Sequence, residues 1–469
     1  HQITNFTPGD PADATQFKNP FYFARNMAPI YPVYLHDMNT GEYTLDSDGN
    51  RQYDNGSKYG RPQNLDRHIV WENELNSDVT YRNTLGSQAF IELNLYKNLK
   101  FVTKADVSLR DSENQSYDNA IIGDGAGNKG RANRTIYRYK NYTFQQQLLW
   151  NKEFNLHNID FLAGHENFSY NYSYLYGFKT TETFTNGTEL INFTEITSLN
   201  GYQVDYRTES YLSRARYNYD NKYFFEASFR RDGSSRFFQK NRWGNFWSTG
   251  GSWTVSKEPF MADLNDIFTS LKLRASYGEV GNDASAGYYG YMALYGMFQN
   301  ANLGAAYKTQ NDANDIQWET SSSFGVGIDA SLFDRINLTL DFFDKRSKDL
   351  LFDVNLPLSA GATSTSAAEA TITKNLGSVS NRGVELMVDF DLIRNKDLKW
   401  NLGFNATYYK NKILRLPEQN REKGIINGTK RYVEGGGIYD FWLNKFEGVD
   451  QMTGRALYKP DFEKYYIGD

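Results

Sequence analysis

Residues 383–409, "GVELMVDFDLIRNKDLKWNLGFNATYY", repeat one pattern twice. Val384, Leu386, Val388, Phe390 and Leu392 are apolar at every second position, with Glu385, Asp389 and Asp391 between them. After the polar stretch Ile393–Asp397 the alternation restarts, with Leu398, Trp400, Leu402, Phe404, Ala406 and Tyr408 on one face and Lys399, Asn401, Gly403, Asn405 and Thr407 on the other. A period of two over this length specifies two long strands joined by a tight turn. Each strand has one wholly apolar face and one hydrated face, so the fold must supply two different environments across a single sheet.

The hairpin recurs along the chain. Strands are expected at 87–96, 99–110, 141–153, 158–177, 205–218, 222–233, 245–257, 270–279, 320–332, 335–347, 382–393 and 398–411. Strands of about ten residues exceed the usual globular length of five or six and match what crosses a bilayer at a tilt. Short turns at Lys97-Asn98, 154–158, 219–221, Phe333-Asp334 and 394–397 alternate with long polar connections at 111–140, 178–204, 280–319 and 348–381. Short turns on one side and long loops on the other describe an outer-membrane barrel whose long loops are extracellular. One face then meets lipid, and the other a wet lumen where Glu385, Asp389 and Asp391 stay hydrated. A soluble propeller or stacked sandwich would give turns of similar length at both ends and a period of about 40 to 50 residues, which the sequence does not show.

Composition agrees with this reading. The 469 residues include 35 Tyr and 32 Phe, while the mean hydropathy is -0.67. Aromatic richness without overall hydrophobicity suits strands wet on one face. No run approaches 18 apolar residues and no charged-then-apolar leader opens the chain, and a start at His1 implies a segment upstream. Cysteine is absent, so disulfides, thiolate metal sites and cysteine nucleophiles are excluded. A net charge of -5 without a basic stripe argues against nucleic acid.

"YLSRARYNYDNKYFFEASFRRDGSSRFFQKNRWGNFWSTGGSWTVSKEPF" (211–260) resembles the barrel motif of the SusC/RagA family of TonB-dependent transporters. It carries Arg230, Asp232, Gly233, Ser234, Ser235, Arg236 and Phe237, then Gly244, Phe246 and Trp253. Further similarity follows in family order at 271–282, 318–351, 375–386 and 448–458, with Trp247 standing where the family commonly has Pro. The resemblance implies an all-β fold: about twelve strands of a 22-stranded transmembrane antiparallel barrel, without the plug, the TonB box or the final strands. It divides the chain into a long extracellular loop region (1–86), barrel strands with extracellular loops (87–411) and a second loop region (412–469). It further implies TonB-dependent import of bulky glycans or oligopeptides across the bacterial outer membrane, with a SusD/RagB-like lipoprotein and TonB as partners. The competing class is a passive porin or adhesin-like barrel.

No catalytic, metal or cofactor constellation emerges. His1, His36, His68, His157 and His165 are the only histidines, and none has H-E-x-x-H spacing. Asp232-Gly233-Ser234 reads as a turn, "GDGAGNKG" (123–130) lacks the strand-to-helix context of a phosphate loop, and "DSDGN" (46–50) lacks a Glu at the twelfth position of a calcium loop. Loop aromatics are the candidates for substrate or partner contact: Tyr288, Tyr289, Tyr439 and Trp442, together with Phe21, Tyr22, Phe23, Tyr31, Tyr34 and Phe441. Arg230, Asp232 and Arg236, with Ser234, Ser235 and Phe237 beside them, are read as a structural motif where a strand meets its loop.

Overall fold

The computed structural model describes residues 2–5, 23, 25, 27–58, 60–62, 64–356, 359 and 370–459. Of the candidate loop aromatics, Phe21 and Tyr22 lie outside the described residues. A short α-helix, α1 (Ile69–Leu75), precedes the long strands, and among the described residues no helix is long and apolar enough to cross a membrane. The strands are β1 (Gln2–Asn5), β2 (Ser77–Tyr96), β3 (Leu99–Asp118), β4 (Arg131–Phe154), β5 (His157–Glu182), β6 (Phe193–Tyr219), β7 (Tyr223–Ser234), β8 (Trp243–Thr254) and β9 (Phe268–Asn282). A hairpin β10 (Leu294–Asn300) and β11 (Leu303–Gln310) follows, then β12 (Glu319–Leu332), β13 (Ile336–Leu356), β14 (Ala370–Arg394) and β15 (Lys399–Arg415). Two small hairpins close the list: β16 (Ile425–Asn427) with β17 (Lys430–Tyr432), and β18 (Phe446–Val449) with β19 (Ala456–Tyr458).

Thirteen strands share one sheet in the order β1-β2-β3-β4-β5-β6-β7-β8-β9-β12-β13-β14-β15. All twelve expected strands are present, and several run well past their expected ends. β4 begins at Arg131 instead of 141, β6 at Phe193 instead of 205, and β2 at Ser77 instead of 87. These extensions mix polar residues with scattered apolar ones such as Ile136, Ile196 and Leu199, so no sustained apolar face marks them, and the ladder continues because each backbone group finds a neighbour. The expected loops at 111–140 and 178–204 shorten accordingly.

Register explains the apolar face. Between β12 and β15, Ala330 lies opposite Leu338, Leu338 opposite Val388 and Val388 opposite Phe404; two rows along the same face, Val326, Phe342, Val384 and Tyr408 align the same way. These rows form a continuous apolar band, and its large side chains stay exposed: Val384 by 40%, Leu402 by 50% and Phe404 by 56%. A soluble sheet would bury such a band, whereas lipid solvates it. The alternate rows carry Asp341, Glu385 and Thr407, and Asn337 and Asp389.

The short turns follow from Asn and Asp chemistry. Asn98 (φ 67°), Asn155 (φ 51°) and the pair Asp220 and Asn221 (both φ 51°) occupy the left-handed region that these side chains tolerate. Two consecutive left-handed residues close a hairpin whose twist matches its strands.

The chain divides into two compact units, one of residues 1–91, 104–144 and 167–207, the other of residues 92–103, 145–166 and 208–469. The first buries Tyr117, Ala132 and Phe193 where β3 ends and β4 and β6 begin, and the second buries Phe237, Ala286, Ala313 and Ile316 in its connections. A sheet that meets lipid on one face and water on the other leaves no sheet-on-sheet interior to fill.

Candidate functional site

The D-G-S-S-R-F motif sits at the β7–β8 connection and works as an anchor. Ser234 is fully buried; its Oγ donates to Asp283 Oδ2 at 2.6 Å and accepts the backbone N–H of Arg236 at 3.2 Å. Arg236 then pairs with Asp283 at 3.6 Å, donates to the Ala284 carbonyl at 2.9 Å and lies 4.5 Å over the ring of Tyr288. Phe237, with no exposed surface, packs on Ala286, Ala313 and Ile316, and its ring lies 5.4 Å from that of Trp318. Trp318 in turn donates its indole N–H to the Arg242 carbonyl at 3.0 Å. The motif thus ties the 283–318 connection to the top of β7 and β8. Gly233 belongs there because a Cβ would lie 3.0 Å from the Trp243 ring.

Arg230 makes a separate network. Its Nε donates to Asp232 at 2.6 Å, and its Nη2 reaches Ser210 Oγ at 3.0 Å and Glu166 at 3.3 Å. Of the three charges grouped in the sequence, Arg230 and Asp232 come together and Arg236 joins Asp283. Ser235 is half-buried in the turn between them.

The loop aromatics fall into distinct settings. Tyr288 is covered by Arg236, while the Tyr289 carbonyl accepts from Gln310 Nε2 at 2.9 Å. Tyr439 is 61% exposed with Lys430 Nζ 5.2 Å from its centroid, and Trp442 is 46% exposed beneath Arg431 at 4.5 Å. Phe23 is buried, and Tyr34 packs on Tyr53 with centroids 4.9 Å apart.

His165 lies on the sheet with its Nδ1 2.7 Å from Gln146 Oε1 and its Nε2 3.2 Å from Glu209 Oε1. Asp46 of "DSDGN" accepts the backbone N–H of Asp48 at 3.0 Å and of Asn50 at 2.8 Å, which makes a turn, and these hydrogen bonds hold its carboxyl below the usual carboxylate range.

Two features escaped sequence reasoning. Arg274 is held between Asp329 at 3.0 Å and Asp341 at 2.6 Å on the hydrated face of β9, β12 and β13. On β4 to β6 the tyrosines 137, 139, 170, 172, 174 and 202 pack ring on ring, with centroids 5.0–6.3 Å apart. "YNYSYLY" (170–176) was a visible signal for the second.

Comparison with known proteins places this geometry. The family described as TonB dependent receptor-like, beta-barrel, matches residues 8–448. TonB-dependent receptor P39 of Formosa agariphila is 32% identical over 402 residues, covering 83% of this chain and 37% of that protein. TonB-dependent receptor SusC of Bacteroides thetaiotaomicron is 27% identical over 290 residues, covering 60% of this chain and 28% of that protein. The RagAB peptide transporter structure superposes with a TM-score of 0.75 at 22% identity, over 88% of this chain and 45% of that one. The chain therefore spans less than half the length of the relatives it matches. With its lipid-facing band, its hydrated opposite face and its tight turns, the chain belongs to the TonB-dependent receptor-like β-barrel family and forms part of an outer-membrane barrel.

Proposed function

We propose that the polypeptide containing this chain imports bulky oligomeric nutrients, glycans or oligopeptides, across the bacterial outer membrane, driven through TonB and assisted by a SusD/RagB-like surface lipoprotein. The observation that carries the reading is the anchored connection after β9: an importer needs shaped extracellular loops above a hydrated lumen, and Ser234, Arg236 and Phe237 fix the 283–318 segment in place. Loops of this length are functional when they are ordered. Tyr288, Tyr289, Tyr439 and Trp442 are the proposed contacts to cargo or lipoprotein, and the regions before 87 and after 411 are proposed to lie outside the cell.

The test is uptake of oligosaccharides and oligopeptides by cells carrying the full-length gene, with and without TonB and the proton gradient. Transport should cease when either is removed, and the lipoprotein should copurify in detergent. Uptake that persists without energy would establish a passive pore. A tag at Asn302, in the β10–β11 turn, should label on intact cells and one at Asn395 should not; the reverse result would invert the topology.

A further inference from the structure

The tyrosine cluster of the first unit lies on the hydrated face. On β4, Tyr142 and Phe144 are 45% and 49% exposed on the lipid side, and Tyr137 and Tyr139 point the other way by the strand's alternation. On β5, Leu175 is 51% exposed on the lipid side, and Tyr170, Tyr172 and Tyr174 occupy the alternate positions. The rings interlock: Tyr137 stacks on Tyr172 at 5.8 Å, Tyr139 meets Tyr172 at 5.0 Å, and Tyr174 meets Tyr202 at 5.0 Å. Rings held by one another cannot turn, so their hydroxyls make a fixed array whose ordering cost has been met before any ligand arrives.

Charge adjoins this array. A concavity of about 300 Å³ is lined by Arg82 of β2, by Arg110, Ser112 and Asn114 of β3, and by Tyr137 and Tyr139 of β4. Arg110 is half-buried with its guanidinium 4.0 Å over the Tyr139 ring. Neither Arg82 nor Arg110 is paired with a carboxylate among the described residues, although Asn114 Nδ2 donates to Asp78 at 2.5 Å on the same strand face. A guanidinium that is part-desolvated by an aromatic ring and lacks a carboxylate is a strong seat for an anion.

We propose that this face is a binding subsite for an anionic oligosaccharide, with Arg110 and Arg82 taking its carboxylate or sulfate-ester groups and the tyrosine array taking its pyranose rings and hydroxyls. This deepens the import reading and rests on it. Three observations favour a sugar over a peptide. The hydroxyls of Ser112 and of several tyrosines, with the Asn114 amide, match a ligand rich in hydroxyls. The flat, rigid rings suit the C–H faces of pyranoses. Both neighbours of β3, β4 and β5 are already paired, so no free edge remains for a peptide strand to join.

The experiment is calorimetric titration of the full-length transporter in detergent with tetragalacturonate, its carboxyl-reduced neutral counterpart, a sulfated galactan tetrasaccharide of equal length and an acidic pentapeptide. Arg110→Gln should weaken binding of one of the anionic saccharides by about tenfold and leave the neutral one unchanged, Arg110→Lys should recover part of the loss, and Tyr172→Ala should weaken anionic and neutral saccharides alike. Whichever anionic saccharide responds identifies carboxylate or sulfate as the group bound. Equal binding of anionic and neutral saccharides, no response to Arg110→Gln, or binding of the peptide alone would overturn the subsite. Heat-modifiable gel mobility controls for barrel folding in each variant. TonB-dependent uptake of any cargo by the wild type, alongside such a failure, would leave the import reading standing and remove only the subsite.

Discussion

Arg274 on β9 reaches across β12 to Asp341 on β13, its Nη2 2.6 Å from Asp341 Oδ2, and the residue beneath the crossing is Gly327. A Cβ at 327 would lie 2.7 Å from the guanidinium carbon, so only glycine lets the arginine lie flat over the intervening strand. Because Arg274 is 39% exposed in a hydrated lumen, the pair itself contributes at most about 1 kcal/mol. Arg274→Gln should therefore cost less than about 1 kcal/mol, and Gly327→Val, which forces the side chains apart, about 1 to 3 kcal/mol. Urea unfolding in lipid vesicles compares the two, and a neutral Gly327→Val would show that the crossing has room.

The two faces of β14 differ in solvent, and adjacent residues should report it. Val388 lies in the apolar row between Leu338 and Phe404, and Asp389 lies between Asn337 and Gly403. Val388→Arg should destabilise the barrel by about 2 to 4 kcal/mol near the midplane, and Asp389→Asn far less. Similar shifts in the temperature of heat-modifiable mobility for the two variants would refute this assignment of faces.

The anchor under the 283–318 connection should fail locally. Phe237→Ala removes a fully buried ring from its cluster, a loss of about 3 to 5 kcal/mol of local packing. The expected result is rapid proteolysis within 283–318 with unchanged heat-modifiable mobility, since the strand band does not depend on this cluster. Unchanged proteolysis would mean that Ser234 and Arg236 suffice.

His68 should make the α1 region sensitive to mild acid. Its Nδ1 accepts the Trp71 backbone N–H at 3.1 Å, so the ring proton sits on Nε2, which donates to the Val33 carbonyl at 3.0 Å. A second proton on Nδ1 would face that N–H. Burial, the largest influence, lowers the imidazole's pKa below its ordinary 6.5. The unfolded segment then binds more protons than the folded one below about pH 6.5, so local stability is complete above that value and declines as pH falls through it. The protection factor of the Trp71 amide, with the pH dependence of intrinsic exchange divided out, should fall between pH 7.5 and 5.5, and His68→Gln should flatten the dependence; a pH-independent wild-type protection factor would exclude the mechanism.

The legible part of this chain is the part that touches lipid. Val384, Leu386, Val388 and Phe390 announce β14 because a bilayer demands an unbroken apolar face, and Asn98 and Asp220-Asn221 announce turns because few other residues accept their backbone angles. Beyond the bilayer that demand lapses. Tyr137 and Tyr139 fall within the expected 111–140 loop yet belong to β4, because without lipid on one face the sequence need not keep a sustained apolar period. The Arg236–Asp283 and His68–Val33 contacts join residues 47 and 35 positions apart, and no local pattern encodes such pairings. Arg230–Asp232 is the contrasting case, since neighbours two apart on a strand share a face by geometry alone.

Apart from the β10–β11 excursion, the order of strands in the sheet is their order along the chain, and this has a kinetic consequence. Each new strand needs only the one synthesised before it, and turns such as Asp220-Asn221 close that pair at small loop-closure entropy. The sheet can therefore grow one hairpin at a time, its two outer edges staying unsatisfied until the barrel closes, so a slow or faulty turn should stall every strand after it and none before.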